Sequence, residues 1–319
     1  MDTSLAVSKR AGRAKKKKVK ITWRQAIKKD WQLYVLVIIP VVFLLIFRYI
    51  PMIGNVIAFR TFIPGGSLFG EKWVGLYYVN QFIHDATFWQ VFRNTITLGG
   101  LSLVFGFPLP IILALLINEV HNSKFKKFVQ TASYLPHFLS IVIVSGMIMN
   151  ILAASGTINA VIKMFGGQTI NFMQQAKWFP AIYVISEIWQ NTGWGTILYL
   201  AALTNIDTSL YEAARMDGAN RWKQTIHITI PGIFPTIITI LILNIGSFLS
   251  VGFEKILLLY NPLIYDTADV VSTYLYRVGL QSSNFSYAAA IGLFESIIGF
   301  VLVMSANFIS KKLVKTSLW

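Results

Sequence analysis

Six long apolar runs, separated by polar segments, organise this 319-residue chain. They fall at 32–53, 93–118, 129–152, 178–202, 233–257 and 287–309. An α-helix needs about 20 predominantly apolar residues to cross a bilayer core, and each run is near that length. Pro40, Gly106, Pro108 and Pro110 lie inside these runs. Neighbouring helices can re-satisfy the backbone groups they free. The pattern predicts an all-α, polytopic membrane protein with six transmembrane helices. It divides into an arm (1–30), a first helix with an outer loop (31–92), a five-helix domain (93–310) and a tail (311–319). Inside the five-helix domain, 203–232 is a polar, charged loop. The runs show no strong internal repeat of the kind found in many secondary transporters.

Composition excludes a pair of soluble domains, since 55% of residues are hydrophobic and 13% are charged. The net charge of +15 does not indicate nucleic-acid binding, because its distribution follows the spans. Residues 1–30 hold eleven Lys or Arg, including Lys15 to Lys18. Lys124, Lys126 and Lys127 follow the second run, Arg215, Arg221 and Lys223 lie in the polar loop, and Lys311, Lys312 and Lys315 are in the tail. The alternate connections are poorer: Arg60 and Lys72, Lys163 and Lys177, Lys255 and Arg277. Cationic loops stay on the cytoplasmic side, so both termini and the 203–232 loop are expected there. The first apolar run exceeds a signal-peptide core, and Arg48-Tyr49-Ile50-Pro51 follows it rather than a small-residue cleavage site. It therefore reads as an uncleaved span. The polybasic arm reads as a disordered segment suited to anionic lipid, or as an orientation signal alone. The chain has no cysteine, which removes thiol chemistry and Cys-based metal sites.

Charged and amide groups inside spans are costly and mark candidate function. In the fourth run Glu187, Gln190, Asn191 and Trp194 share one helical face. In the fifth, Asn244, Ser247, Val251 and Glu254 do the same. Facing each other, these would line a polar cavity whose amides and indole suit a sugar's hydroxyls and C–H faces. The competing reading is that they hydrogen-bond between helices as packing contacts. Glu254-Lys255 can also be read as a charge pair at the outer end. In the sixth run Gly292, Ser296 and Gly299 read as a close-packing face, with Glu295 unassigned. The four histidines, His84, His121, His137 and His227, do not cluster in sequence and read as surface or packing residues. No catalytic constellation and no metal site is expected.

The loop at 203–232 carries its own local chemistry. Ser209-Leu210-Tyr211-Glu212 reads as a capping box. Ala213 and Ala214 favour helix and let another surface approach closely. Gly218 is placed to end that helix in the left-handed conformation. Asn220 can start a second short helix, and Pro231 marks the return to the membrane.

Glu212-Ala213-Ala214, three residues, Gly218, nine residues and Ile228-Thr229-Ile230-Pro231 resemble a known signature. It is that of the permease subunits of binding-protein-dependent ABC importers, with Ile230 where Leu is usual. The resemblance implies a type I importer fold, and a loop that docks into a groove on a cytoplasmic ATPase. Ser209, Tyr211, Glu212, Ala213, Ala214, Arg215, Asp217 and Gly218 are the coupling residues it implies. Phe47-Arg-Tyr-Ile-Pro-Met-Ile-Gly, Ile57-Ala-Phe-Arg, Trp73-Val-Gly-Leu, Asn94-Thr-Ile, Tyr134-Leu-Pro and Trp194-Gly resemble the carbohydrate branch, especially oligosaccharide permeases. The implied partners are a second homologous permease, two ATPase subunits, an extracytoplasmic solute-binding protein and the bilayer of the cytoplasmic membrane. No phosphate-binding G-x-x-x-x-G-K-[ST] occurs. The chain is thus expected to need no cofactor of its own, with ATP and Mg on the ATPase. Two alternatives are a permease for amino acids, phosphate or another small solute, and an ion-coupled secondary transporter.

Overall fold

A computed structural model describes residues 29–314. The basic arm through residue 28 and the tail from residue 315 lie outside the described residues, and with them most of the expected 1–30 and 311–319 segments. Two compact units divide at Gly54/Asn55. The first carries the start of an apolar helix, α1 (Trp31–Phe59), with Pro40 inside it.

The second unit is helical throughout, with no strand among the described residues. Its first long helix, α2 (Ala86–Glu119), is capped by Asp85, whose carboxylate accepts the Thr87 amide at 2.8 Å. A π turn at Ser102–Gly106 precedes Pro108. The wider turn accommodates a residue without an amide hydrogen. After a three-residue link, Asn122 caps α3 (Ser123–Tyr134), accepting from the amides of Lys124 and Phe125. The expected continuous span at 129–152 is broken. Pro136 sits in a 3₁₀ turn (Leu135–Phe138), Leu139 and Ser140 are extended, and α4 (Ile141–Leu152) starts afresh.

α5 (Phe179–Leu203) is an unbroken helix of 25 residues with Pro180 in its first turn, where the missing amide hydrogen costs nothing. Five helices among the described residues are long and apolar enough to cross a membrane: Trp31–Phe59, Ala86–Glu119, Ile141–Met164, Arg221–Gly246 and Phe285–Lys312. α5 is not among them because its centre, Glu187 to Trp194, is polar. After α6 (Thr208–Met216), α7 runs Arg221–Gly246 through a π turn at Thr225–Thr229 just ahead of Pro231.

The fifth run ends sooner than expected. α7 stops at Gly246, Ser247 caps it, and α8 (Phe253–Leu259) is a separate helix. Gly246, Ser247, Ser250 and Gly252 are poor helix formers, so the apolar content of 247–257 does not sustain the helix. Asn244, Ser247, Val251 and Glu254 therefore do not share one helical face. α9 (Val271–Leu275) and a π turn (Tyr276–Gln281) lead to α10 (Phe285–Val314).

Three buried clusters hold the unit together. Leu98, Phe179 and Val184 pack against Val251, Ile256 and Ile264. Phe82, Phe88 and Val91 pack against Val271, Tyr274 and Ile291. Ala114, Tyr199, Leu203 and Ile233 join α2, α5 and α7. α5 contributes to the first and third, making it the axis of the unit. Asp85 ties the second together, accepting from the Tyr274 hydroxyl at 2.7 Å and the Tyr287 hydroxyl at 2.9 Å. Burial pushes its pKa up. Hydrogen bonds from Tyr274, Tyr287 and Thr87 outweigh this and hold the carboxyl below its ordinary value.

α3 crosses α5 at Gly193. A Cβ there would stand 1.9 Å from the Ser133 carbonyl oxygen, so the backbones meet without a side chain between them. Gly193→Ala must separate α3 from α5, and a loss of roughly 1–3 kcal/mol is expected for such overpacking. Gly100→Ala is the control, since no atom lies within 4 Å of its Cβ position. Thermal unfolding of the purified protein distinguishes the two, with only the first lowered. Asp85 gives a pH signature. Its lowered pKa stabilises the fold at neutral pH, and that contribution disappears as pH falls below about 4. The advantage of the unsubstituted chain over Asp85→Asn is expected to shrink over the same range.

Candidate functional site

Along α5 the polar side chains are separated by one helical turn, so they stack on one face. Glu187 and Asn191 lie four residues apart, and Asn191 Nδ2 donates to Glu187 Oε1 at 2.5 Å. The other carboxylate oxygen of Glu187 accepts from Lys255 Nζ of α8 at 2.6 Å. Lys255 is 2% exposed and Glu187 35% exposed. The ammonium therefore lies in the core while the carboxylate stays at an open face. Lys255 also stands 5.8 Å from the Tyr183 ring. The Tyr183 hydroxyl accepts the Gly252 amide at 3.0 Å. Three contacts thus fasten the Ser247–Leu259 segment to α5. The Glu254-Lys255 dipeptide is not an outer charge pair: Glu254 is exposed and Lys255 points inward to Glu187.

The same face continues downward. His137 donates from Nδ1 to Asn191 Oδ1 at 2.9 Å. Its ring stacks on Trp194 with centroids 4.7 Å apart and planes 6° from parallel. Phe138 meets Trp194 edge-on. Hydrogen bonding to Asn191 and stacking on Trp194 thus tie the end of the α3 segment to α5.

A cavity of about 470 Å³ opens beside this row. Its lining includes Glu187, Asn191 and Trp194 from α5, and Asn244, Ser247 and Val251 from α7 and the following segment. Two sequence candidates are not part of the lining. Gln190 is buried on another side of α5, near the Leu139 carbonyl, and Glu254 lies outside the cavity. Amide, hydroxyl and indole groups dominate the polar lining, and the Glu187 charge is compensated by Lys255. Such a wall offers hydrogen bonds and aromatic faces to a hydroxylated solute. Sequence reading missed Lys255, Tyr183 and His137. Only a Lys flanked by Phe253 and Ile256-Leu257-Leu258-Leu259 hinted at burial.

The second site is the loop after α5. α6 begins two residues earlier than the capping-box reading requires: Asp207 is the N-cap and accepts the Ser209 amide at 2.9 Å. Ser209 and Glu212 lie within the helix, so the expected Ser209–Glu212 box is absent. The Ser209 amide holds the Asp207 carboxyl below its ordinary pKa. At the far end Gly218 has φ +75°. The Gly218 amide donates to Arg215 O at 3.1 Å and the Ala219 amide to Ala214 O at 2.8 Å, which is a complete Schellman closure. Asn220 then caps α7 through the Lys223 amide. The Tyr211 hydroxyl pairs with Thr229 Oγ1 at 2.9 Å, joining α6 directly to α7. Ala213, Glu212, Ser209, Arg215 and Asp217 are exposed, whereas Ala214 and Tyr211 lie half-buried on the inward face.

The Glu187–Lys255 pair gives an asymmetric prediction. Glu187→Gln leaves a buried ammonium without its counter-ion, and roughly 3–5 kcal/mol is the usual cost. Lys255→Met leaves a carboxylate that the cavity can still hydrate, so its loss is expected to be smaller. The double substitution is expected to be more stable than Glu187→Gln alone. Unfolding midpoints of the three variants check the order.

Residues 106–315 match the family model described as "Binding-protein-dependent transport system inner membrane component". Protein LplB of Bacillus subtilis is 44% identical over 293 residues, covering 92% of each chain. The polygalacturonan/rhamnogalacturonan transport system permease protein YteP of the same species is 45% identical over 281 residues, 88% of each. A chain from the crystal structure of a bacterial ABC transporter involved in import of the acidic polysaccharide alginate superposes with a TM-score of 0.84. It shows 43% identity, covering 91% of this chain and 98% of that one. The chain is a multi-pass membrane protein and a non-catalytic transport subunit, and it belongs to the family of inner-membrane components of binding-protein-dependent ABC transport systems.

Proposed function

We propose that this chain is one of two permeases forming the pathway of an ATP-driven importer for carbohydrate, of oligosaccharide size. The cavity beside α5 carries the reading, because its amides, hydroxyls and indole match a polyhydroxylated solute. Its similarity to a polygalacturonan/rhamnogalacturonan permease and to a chain of an alginate importer supports the same class. Glu187, Asn191, Trp194, Asn244 and Ser247 would face the solute, and the second permease would complete the wall.

α5 serves as the sixth span, its polar centre covered by α2, α3 and α7. The Lys and Arg distribution supports a cytoplasmic position for both termini and the α6 loop. There α6 docks on an ATPase subunit. Ala213, exposed and small, is the residue a groove would close upon. Ala214 instead faces α7 beside Tyr211. Because Tyr211 bonds to Thr229, a push on α6 passes into α7, whose far end borders the cavity at Asn244. ATPase closure would thereby rock the helices between two rigid-body states. A solute-binding protein delivers solute from the other side, and ATP with Mg belongs to the two ATPase chains.

Two measurements test this. Ala213→Trp is expected to abolish ATPase retention on purification, and transport with it, while membrane insertion is unchanged. Full retention would remove α6 as the docking element. Cysteines placed at Lys72 and Lys177 in this cysteine-free chain are expected to react with an impermeant thiol reagent outside intact cells. One at Lys223 is expected not to, and labelling at Lys223 would reverse the orientation.

A further inference from the structure

α3 is amphipathic in the opposite sense from a packed helix. Its inward face against α5 is largely polar, with Lys126, Gln130, Ser133 and Tyr134 partly covered beside Val129. Its outward face is apolar: Phe125 is 55% exposed and Phe128 69%, and the following 3₁₀ turn adds Leu135 at 61%. Lys124 and Lys127, both exposed, flank that stripe at one turn's spacing. The helix contains three lysines and no Asp or Glu. Its position is fixed by topology, since only Val120 to Asn122 separate it from the end of the long apolar helix α2. α4, another apolar stretch, starts two residues beyond the 3₁₀ turn. α3 therefore starts at a membrane boundary, with Lys124 and Lys127 nearest the headgroups, and runs inward to meet α5 at Gly193.

From this we infer that α3 is an anionic-lipid site: its phenylalanines enter the acyl boundary and Lys124 and Lys127 hold the phosphate of acidic headgroups. An apolar outward stripe with cations at its starting end matches a helix entering a negative leaflet. The site also has a route to the solute cavity. α3 touches α5 at Gly193 without an intervening side chain. Its 3₁₀ extension carries His137, which bonds Asn191 and stacks on Trp194. Lipid bound on the outer face of α3 thereby seats the cavity wall, and this second step rests on the permease reading.

The test uses the complete transporter in nanodiscs of phosphatidylcholine, with and without phosphatidylglycerol. A spin label at Phe128→Cys is expected to be accessible to oxygen and shielded from a water-soluble nickel reagent. Phosphatidylglycerol is expected to deepen it. With Lys124→Gln and Lys127→Gln added, the phosphatidylglycerol fraction required is expected to rise by roughly fivefold per lysine, the factor an anionic surface confers on each basic residue. A label exposed to nickel in both lipids would overturn the site. So would an unchanged lipid response in the lysine variant, or the same deepening produced by inorganic phosphate alone. ATPase retention in the same complexes reports separately on the permease reading. Normal retention with no lipid effect would sink only the inference about α3.

Discussion

A carboxylate in the middle of a membrane protein's central helix must be compensated, and Glu187 finds its counter-charge in Lys255. Leaving the buried Lys255 ammonium without its counter-charge costs several kcal/mol, while Glu187 keeps an open face to the cavity, so the helix carrying Lys255 is obliged to meet α5. The consequence reaches beyond the pair. Lys255 lies on the short helix after the α7 break, and its approach to Glu187 brings Tyr183 and Gly252 into hydrogen-bonding range. The apolar residues around it, Ile256 and Leu259 with Val251, then close over Phe179 and Val184. One electrostatic constraint thereby sets where Ser247 to Leu259 folds and which side of the α5 cavity it bounds.

The opposite half of the unit is organised by backbone hydrogen bonding rather than by charge. Asp207 and Asn220 satisfy helix starts, and the Gly218 closure satisfies the end between them. The result is a short helix with all its termini accounted for, able to keep its shape while projecting from the bundle. Its single side-chain bond to the neighbouring helix, Tyr211 to Thr229, gives it a defined mechanical attachment. The Arg221–Glu119 pair at 3.2 Å is mostly exposed at Arg221 and about half exposed at Glu119, and adds little by comparison.

α3 joins these halves through close packing. Without a side chain at Gly193 its backbone lies directly on α5, and the 3₁₀ turn beyond it delivers His137 to the cavity edge. A helix held this closely on one side and presenting phenylalanine on the other couples the bilayer surface to the interior of the unit.

What the sequence determined by itself is what nearest neighbours along the chain decide. Apolar run length identified a helical membrane protein, and spacing within 209–231 identified the loop's helix, its Gly218 end and the Asn220 start. The polar face Glu187, Asn191, Trp194 was legible because one turn of helix fixes which side chains align. Competition between adjacent candidates was not: Asp207 outranks Ser209 as cap because only the folded loop shows which amide each reaches. The breaks at Leu139–Ser140 and Ser247–Gly252 escaped a reading by hydropathy, which is the same whether a run is straight or interrupted, although Pro136 and the Gly and Ser residues of 246–252 lie at them. Lys255 was hidden for a different reason. Its partner lies 68 residues away, and only tertiary packing decides which charges come within a few ångströms of each other. The outward phenylalanines of α3 follow the same rule, because periodicity shows that a helix has two faces, while its neighbours decide which one is turned away.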